Sequence, residues 1–398
     1  MDDATLDRLA ELAVRFGSNV QPGQIVAIGA EIGKERVARA IAGAAYAAGA
    51  KFVDVSYFDL RVKRARIERS DPSMLDFVPS WYGERLLALG DQRCARVGLS
   101  GPADPDALEG LDPERVGKDL LPGLRETGKV VNDATTNWTI VPAITQAWAE
   151  FVHPDLEPDA AYARLSEQLT HILRLDEEDP VAVWSERFDL LVDVAARLNE
   201  RRFDTLHFEG PGTDLKVGLL PTTTFLSARF ETVDGIVHMP NLPSEEVFGA
   251  PDPQRTDGVV RATKPLVLAG TIIRGLEVEF RAGEVVRVDA ETGAEVLRGY
   301  IAKDAGSGRL GEVALVDGQG RIGPLDTVFF DTLLDENAAS HIALGNAYSF
   351  TAGEEDQAKL NQSAIHVDFM IGSPEVSVTG LDAAGERTPV LVQGDWRI

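Results

Sequence analysis

Gln24-Ile-Val-Ala-Ile28, Glu35 to Ala48 and Lys51-Phe-Val-Asp-Val-Ser-Tyr57 read in succession as strand, helix and strand. The first is a short apolar run that follows the turn Gln21-Pro-Gly23. In the second, Val37, Ala40, Ile41, Ala44 and Ala45 recur at helical spacing, and Gly49 ends the run. A strand–helix–strand unit of this length requires a right-handed crossover and therefore parallel strands. Outward from it the same alternation continues. Leu6, Leu9, Leu12, Ala13 and Phe16 mark an amphipathic opening helix, Glu84–Leu89 has helical character, and Ala95-Arg-Val-Gly-Leu-Ser100 is a further strand. The N-terminal half is expected to be an open α/β domain with a mainly parallel sheet.

Gly29-Ala-Glu-Ile-Gly-Lys-Glu35 superficially resembles a phosphate-binding loop, but it is one residue short of G-x-x-x-x-G-K. Glu35 stands where a Ser or Thr would reach magnesium, and two glutamates would repel phosphate. Turn and packing roles are expected for these glycines. Between Asp71 and Trp148, Gly101-Pro-Ala-Asp-Pro105, Asp112-Pro113, Leu121-Pro-Gly123 and Val141-Pro142 mark loops around short elements. Glu157–His171 and Asp179–Asn199 read as helices, with Pro180 in the first turn.

The second half changes character. Leu206–Leu219 reads as two strands around Gly210-Pro-Gly212, and Leu266–Ile273, Gly275–Arg281, Glu284–Asp289, Val313–Val316, Thr327–Phe330 and Ile365–Ile371 as further strands. Hairpins without long intervening helices imply a β-rich domain with a mixed or antiparallel sheet. The expected division is 1–200 for the α/β domain and 201–398 for the β-rich one.

The formal net charge of −25 makes nucleic acid or an anionic membrane an unsuitable partner. The single cysteine, Cys94, cannot form an intrachain disulfide, which suits a reducing compartment. The opening Met1-Asp-Asp-Ala-Thr-Leu6 is acidic, unlike a basic, apolar targeting segment. The apolar window 40–50 is far shorter than the ~20 residues that span a bilayer. A cytoplasmic protein is expected.

Four islands in the second half carry the chemistry: Asn241-Leu-Pro-Ser-Glu-Glu-Val-Phe248, Leu310-Gly-Glu-Val-Ala-Leu315, Asp335-Glu-Asn-Ala-Ala-Ser-His341 and His366-Val-Asp-Phe-Met-Ile-Gly372. Carboxylates and imidazoles without thiolates are a donor set suited to divalent ions. His366 and Asp368 share one face of a strand, about 6–7 Å apart along it, so both can converge on one centre. Glu312 interrupts an apolar segment, where an unpaired carboxylate is costly, so a metal or an arginine partner is required. One of Glu245 and Glu246 is expected to point inward and the other outward. His341 lies among small and apolar residues, as a ligand or as a hydrogen-bonded core histidine. Glu336 could reach the same centre or orient a ligand. Tyr348 follows His341 by seven residues and would share its face if the segment were helical. His153 and His171 read as surface or packing residues. His207 lacks carboxylate company in the pattern, and His238 lies near the first island.

Taken together, the islands resemble the aminopeptidase T family of metallo-aminopeptidases, which also includes aminopeptidase S. The shared pattern is Asn-x-Pro-Thr-Glu-Glu-Val-Phe, Leu-Gly-Glu-Val-Ala-Leu, Glu-Asn-Ala-x-x-His-x-Ala-x-Gly with a following Tyr, and His-x-Asp-Phe-Met-Ile-Gly. Ser244 replaces the usual Thr, and Gly249 stands where Thr is common. The resemblance implies release of N-terminal amino acids from peptides with a free N-terminus, a homodimer, and a pair of divalent ions (zinc, cobalt, manganese or magnesium). It further implies Glu246, Glu312, Glu336, His341, His366 and Asp368 as metal ligands, with Glu312 able to bridge, and Glu312 and Tyr348 as catalytic groups. The alternatives are a related metal-dependent amidase or dipeptidase, and a non-catalytic oligomeric binding protein with a structural metal.

Overall fold

The computed structural model describes residues 1–119, 121, 125–268 and 271–398, and these fall into two units. One unit comprises Met1–Ser185 and Arg229–Pro243; the other comprises Glu186–Ala228 and Ser244–Ile398. Pro122 and Gly123 of the expected turn lie outside the described residues.

In the first unit, β1 (Ile25–Glu31), β2 (Phe52–Phe58), β3 (Ala95–Ser100) and β4 (Trp138–Pro142) form a parallel sheet in the order β2-β1-β3-β4. Helix α1 (Asp3–Glu11) opens the unit, with the Asp2 side chain accepting from the Thr5 N–H at its N-terminus. Helix α2 (Glu35–Ala47) makes the crossover from β1 to β2 and buries Val37, Ala38, Ile41 and Ala45. The expected parallel αβ architecture is therefore present. Lys34 shows why the glycine-rich turn before α2 does not present a lysine to phosphate. It is 2% exposed, its ammonium lies 3.0 Å from Glu31, and it donates to the Leu99 carbonyl at 3.0 Å. No helix among the described residues is long and apolar enough to cross a membrane.

The second unit is built on two larger antiparallel sheets. The eight-stranded one runs Glu284–Asp289, Glu277–Arg281, Pro251–Arg261, Thr213–Leu219, Thr205–Gly210, Ser377–Leu381, Arg387–Val392 and Asp395–Trp396. The five-stranded one runs His366–Met370, His341–Gly345, Leu310–Val316, Glu246–Gly249 and Leu226–Ser227, antiparallel throughout. The first, second and fourth sequence islands thus lie on strands of one sheet, and the third is the turn that leads into the strand beginning at His341.

Three expectations change in detail. Leu266–Ile273 is two short strands, Leu266–Leu268 and Thr271–Ile273, paired antiparallel. Thr327–Phe330 is not a strand: Phe330 has φ +55°, and the Phe329 and Asp331 N–H groups donate to the Asp335 carboxylate instead of to a neighbouring strand. The segment from His341 towards Tyr348 is a strand followed by an irregular connection, so helical spacing does not relate the two residues. Gly345 permits that connection, since its φ is +108° and a Cβ there would stand 2.1 Å from the Ile365 carbonyl oxygen.

Candidate metal centre

Strand alternation and register put five of the expected ligands on one face of the five-stranded sheet. Residues directly opposite across an antiparallel ladder share a face, as do residues two apart along a strand. Glu246 pairs with Val316, and Val316, Ala314 and Glu312 alternate along one strand. Ala314 pairs with His341, Glu312 with Ala343, Ala343 with Asp368, and Gly345 with His366. Glu246, Glu312, His341, His366 and Asp368 therefore project the same way, with the small residues Ala314, Ala343 and Gly345 among them. The other face carries Val247, Val313, Leu315, Ile342, Leu344 and Phe369, all fully buried. The motifs Glu-Val-Ala-Leu and His-Ile-Ala-Leu-Gly have a direct physical reading: large apolar residues fill the core side, and small ones leave room over the polar side.

The donor atoms form two groups that share one residue. Glu246, Glu312 and His341 converge in the first, and Glu312, His366 and Asp368 in the second. His341 Nε2 lies 3.1 Å from Glu246 Oε2 and 3.6 Å from Glu312 Oε1. His366 Nε2 lies 3.3 Å from Asp368 Oδ1 and 3.9 Å from Glu312 Oε2. The two oxygens of Glu312 thus face different imidazoles. Glu246 Oε2 and Asp368 Oδ1 are buried, yet accept no hydrogen bond of good geometry from the nitrogens that approach them. Such orphaned oxygens, set among nitrogen donors, fit a divalent cation.

Charge leads to the same fit. Burial pushes the Glu312 carboxyl up, offset in part by the His341 hydrogen bond and the His366 charge. Glu336 is pushed well up by burial and then by the charges of Glu246 and Asp368. It belongs to neither convergent group, but shares their field. Burial pushes the Asp368 carboxyl up, but the charges of His366 and His341 and its hydrogen bonds together leave it lowered. Burial pulls both imidazoles down, and the carboxylates more than reverse it. His341 rises well above its usual value through Glu246 and Glu312, and His366 rises to about 10 through Asp368 and Glu312. Repulsion among the carboxylates adds to burial in raising Glu312 and Glu336, and a cation would relieve it.

Tyr348 reaches the site from the connection after the His341 strand. Its ring centroid lies 5.7 Å from that of His366, 6.5 Å from Phe248, and 5.2 Å from Phe350, on which it stacks. It remains 41% exposed, and its hydroxyl is raised by desolvation and by the carboxylates led by Glu312 and Asp368.

Glu245 and Glu246 are both buried, so the expectation that one points outward is corrected. Glu245 faces the other way from Glu246 and meets Arg187 at 2.6 Å, and Arg187 also holds Asp317. Sequence reading missed this arginine. The signal was available: in the helix Pro180–Arg201, Arg187 shares the apolar stripe of Trp184, Phe188 and Leu191. The histidines outside the cluster are accounted for separately. His153 bonds Gln168, His171 bonds Asp176, and His207 bonds Asp214 at 2.7 Å. His238 packs against Trp138 and Phe230, and burial lowers its pKa to about 4.

A family model described as thermophilic metalloprotease (M29) matches residues 2–396. The chain belongs to this family. It is 44% identical to aminopeptidase T of Thermus aquaticus, over 99% of this chain and 98% of that protein. It is 36% identical to aminopeptidase PepS of Streptococcus thermophilus, over 99% and 98% of the two. The structure superposes on wild-type AmpT from Thermus thermophilus with a TM-score of 0.92 at 41% identity, covering 99% of each chain. As an M29 metalloprotease the chain is a hydrolase that uses divalent metal. The non-catalytic binding-protein alternative has no support beside these matches.

Proposed function

We propose that the chain is a two-metal aminopeptidase that removes N-terminal residues from peptides. The observation that carries this reading is Glu312, whose two oxygens face two donor groups on one sheet face. The aminopeptidase names of its relatives add to it. Glu246 and His341 would hold one ion and His366 and Asp368 the other, with Glu312 available to both. Glu336 is assigned to the same centre on its electrostatic proximity. Zinc, cobalt, manganese and magnesium all suit nitrogen and oxygen donors of this kind. Residues 201–398 form the catalytic domain in this reading and 1–200 the N-terminal α/β domain, in a cytoplasmic homodimer.

Bound divalent ions supply Lewis-acid polarisation of a carbonyl and lower the pKa of a water. The chain's residues do the rest. A carboxylate neighbouring Glu312 would take the proton of the attacking water, since both Glu312 oxygens face the ion groups. Tyr348 would donate a hydrogen bond from its hydroxyl, protonated at neutral pH like any tyrosine, to the developing oxyanion.

Titration of the metal-free protein tests the stoichiometry and the ligands together. Both imidazole pKa values are raised, so near neutral pH His341 and His366 carry protons that metal must displace. Apparent affinity should rise with pH and fall with acidification, by roughly tenfold per pH unit for each proton displaced. Calorimetry with zinc in buffers of different ionisation enthalpy should give two ions per chain and release of more than one proton. One ion bound without proton release would contradict the reading.

A further inference from the structure

The buried ionic cluster beside the metal centre has a geometry that its contribution to stability does not explain. Glu246 is the first residue of its strand and pairs with Val316, the last of the Glu312 strand. Glu245 and Asp317 are therefore the next residue on each chain at the same end of one ladder. The Arg187 Nε donates to Glu245 Oε2 at 2.6 Å, and its Nη1 and Nη2 donate to Asp317 Oδ2 and Oδ1 at 2.9 and 2.8 Å. Nη2 also approaches the Glu245 carbonyl oxygen at 3.5 Å. The side chains of Glu245 and Asp317 are 0% exposed and that of Arg187 is 7% exposed. A third anchor comes from the turn that carries Glu336: Asn337 Oδ1 accepts the Glu245 N–H at 2.6 Å, and its Nδ2 donates to the Leu333 carbonyl at 2.9 Å.

We propose that Arg187 is a positioning residue for the metal centre, clasping Glu245 and Asp317 and so fixing the strand pair from which Glu246 and Glu312 project. The inference rests on the reading of that cluster as a metal centre. Buried ion clusters contribute little net stability, because desolvation offsets attraction. What they enforce is geometry, and a planar guanidinium that engages two carboxylates at once enforces it where an ammonium would not. Glu245 is held from the far side of the strand while Glu246 presents its carboxylate on the near side. Asn337 ties the same backbone to the turn of Glu336. One clasp thus sets three of the proposed ligands relative to one another. This is the outer-shell role by which metal ligands are kept in place.

The test uses the full-length protein and metal binding, not turnover alone. Arg187→Lys keeps the buried charge and loses the two-sided fork. Val278→Ala, a cavity in the eight-stranded sheet, serves as the control for loss of stability without disturbance of the clasp. Each protein is stripped of metal, and its zinc affinity is measured by competition with a chelating dye at a temperature where circular dichroism shows it folded. Its cobalt complex is then compared by visible absorption. Arg187→Lys is expected to weaken affinity roughly 10–100-fold and to alter the cobalt spectrum, whereas Val278→Ala changes neither. Wild-type affinity and spectrum in Arg187→Lys, with a lowered Tm only, would overturn the proposal. Should Arg187→Lys not fold, Asp317→Asn keeps the shape of the clasp while weakening one of its two arms, and carries the test with the same two outcomes. Failure of the wild-type protein itself to bind zinc would overturn the metal-centre reading first.

Discussion

His366→Ala and Asp368→Ala should each lose one ion per chain and lower kcat/KM on the order of 10³-fold. The two residues supply the donors of the second convergent group, apart from the shared Glu312. Without His366, Asp368 and Glu312 face each other with no nitrogen between them, and two acidic groups alone make a poorer and less directional site. Without Asp368, the group loses an anionic donor, while the Asn346 carbonyl still holds the His366 Nδ1 at 2.8 Å, so two donors are left where three converged. The first group, Glu246, His341 and Glu312, stays intact, so one ion should remain. Metal analysis after dialysis, paired with peptide hydrolysis, reads both effects. Full metal content with full activity in either variant would remove these residues from the centre. Substitution of Glu312 should be harsher, because it serves both groups, and both ions should go.

Tyr348→Phe should behave in the opposite way, keeping two ions and losing rate. The ring has packing partners of its own in Phe248, Phe350 and His366, and phenylalanine preserves them. What disappears is one hydroxyl donor. Loss of a donor to a developing oxyanion typically costs about 10²–10³-fold in kcat. KM should change little, since the hydroxyl acts on charge that appears only in the transition state. Loss of metal in this variant would mean that the hydroxyl supports the ligands instead. A large rise in KM with kcat intact would place it in substrate binding.

The sequence made much of this arrangement legible, for reasons that belong to strand geometry. His366-Val-Asp368 reads as a convergent pair because period two leaves no alternative within a strand. Glu312 was visible as a carboxylate in an apolar run that demanded a counter-charge. The crossover from β1 to β2 followed from helix spacing and handedness alone. Other features depended on long-range pairing that local patterns do not carry. Alternation says that Glu245 and Glu246 face opposite ways, but not that an arginine some sixty residues earlier waits on one side. Tyr348 could be placed by helical spacing only if His341 were helical, and pairing with two neighbouring strands decides otherwise. Thr327–Phe330 has strand-like composition, yet Asp335 captures its backbone N–H groups and no ladder forms. Glu336 follows Asp335 directly, and its place in the field of the cluster arises from that same turn.

The central claim is metal-dependent hydrolysis at a free N-terminus, and aminoacyl anilides test it most directly. Release of the chromophore is followed across a panel of residues, before and after chelation, with zinc, cobalt, manganese or magnesium restored. Each substrate is paired with its N-acetylated form. The account predicts activity that chelation abolishes, that added metal restores, and that acetylation of the α-amine eliminates. Activity on the acetylated substrates would contradict it and identify a metal-dependent amidase built on the same cluster.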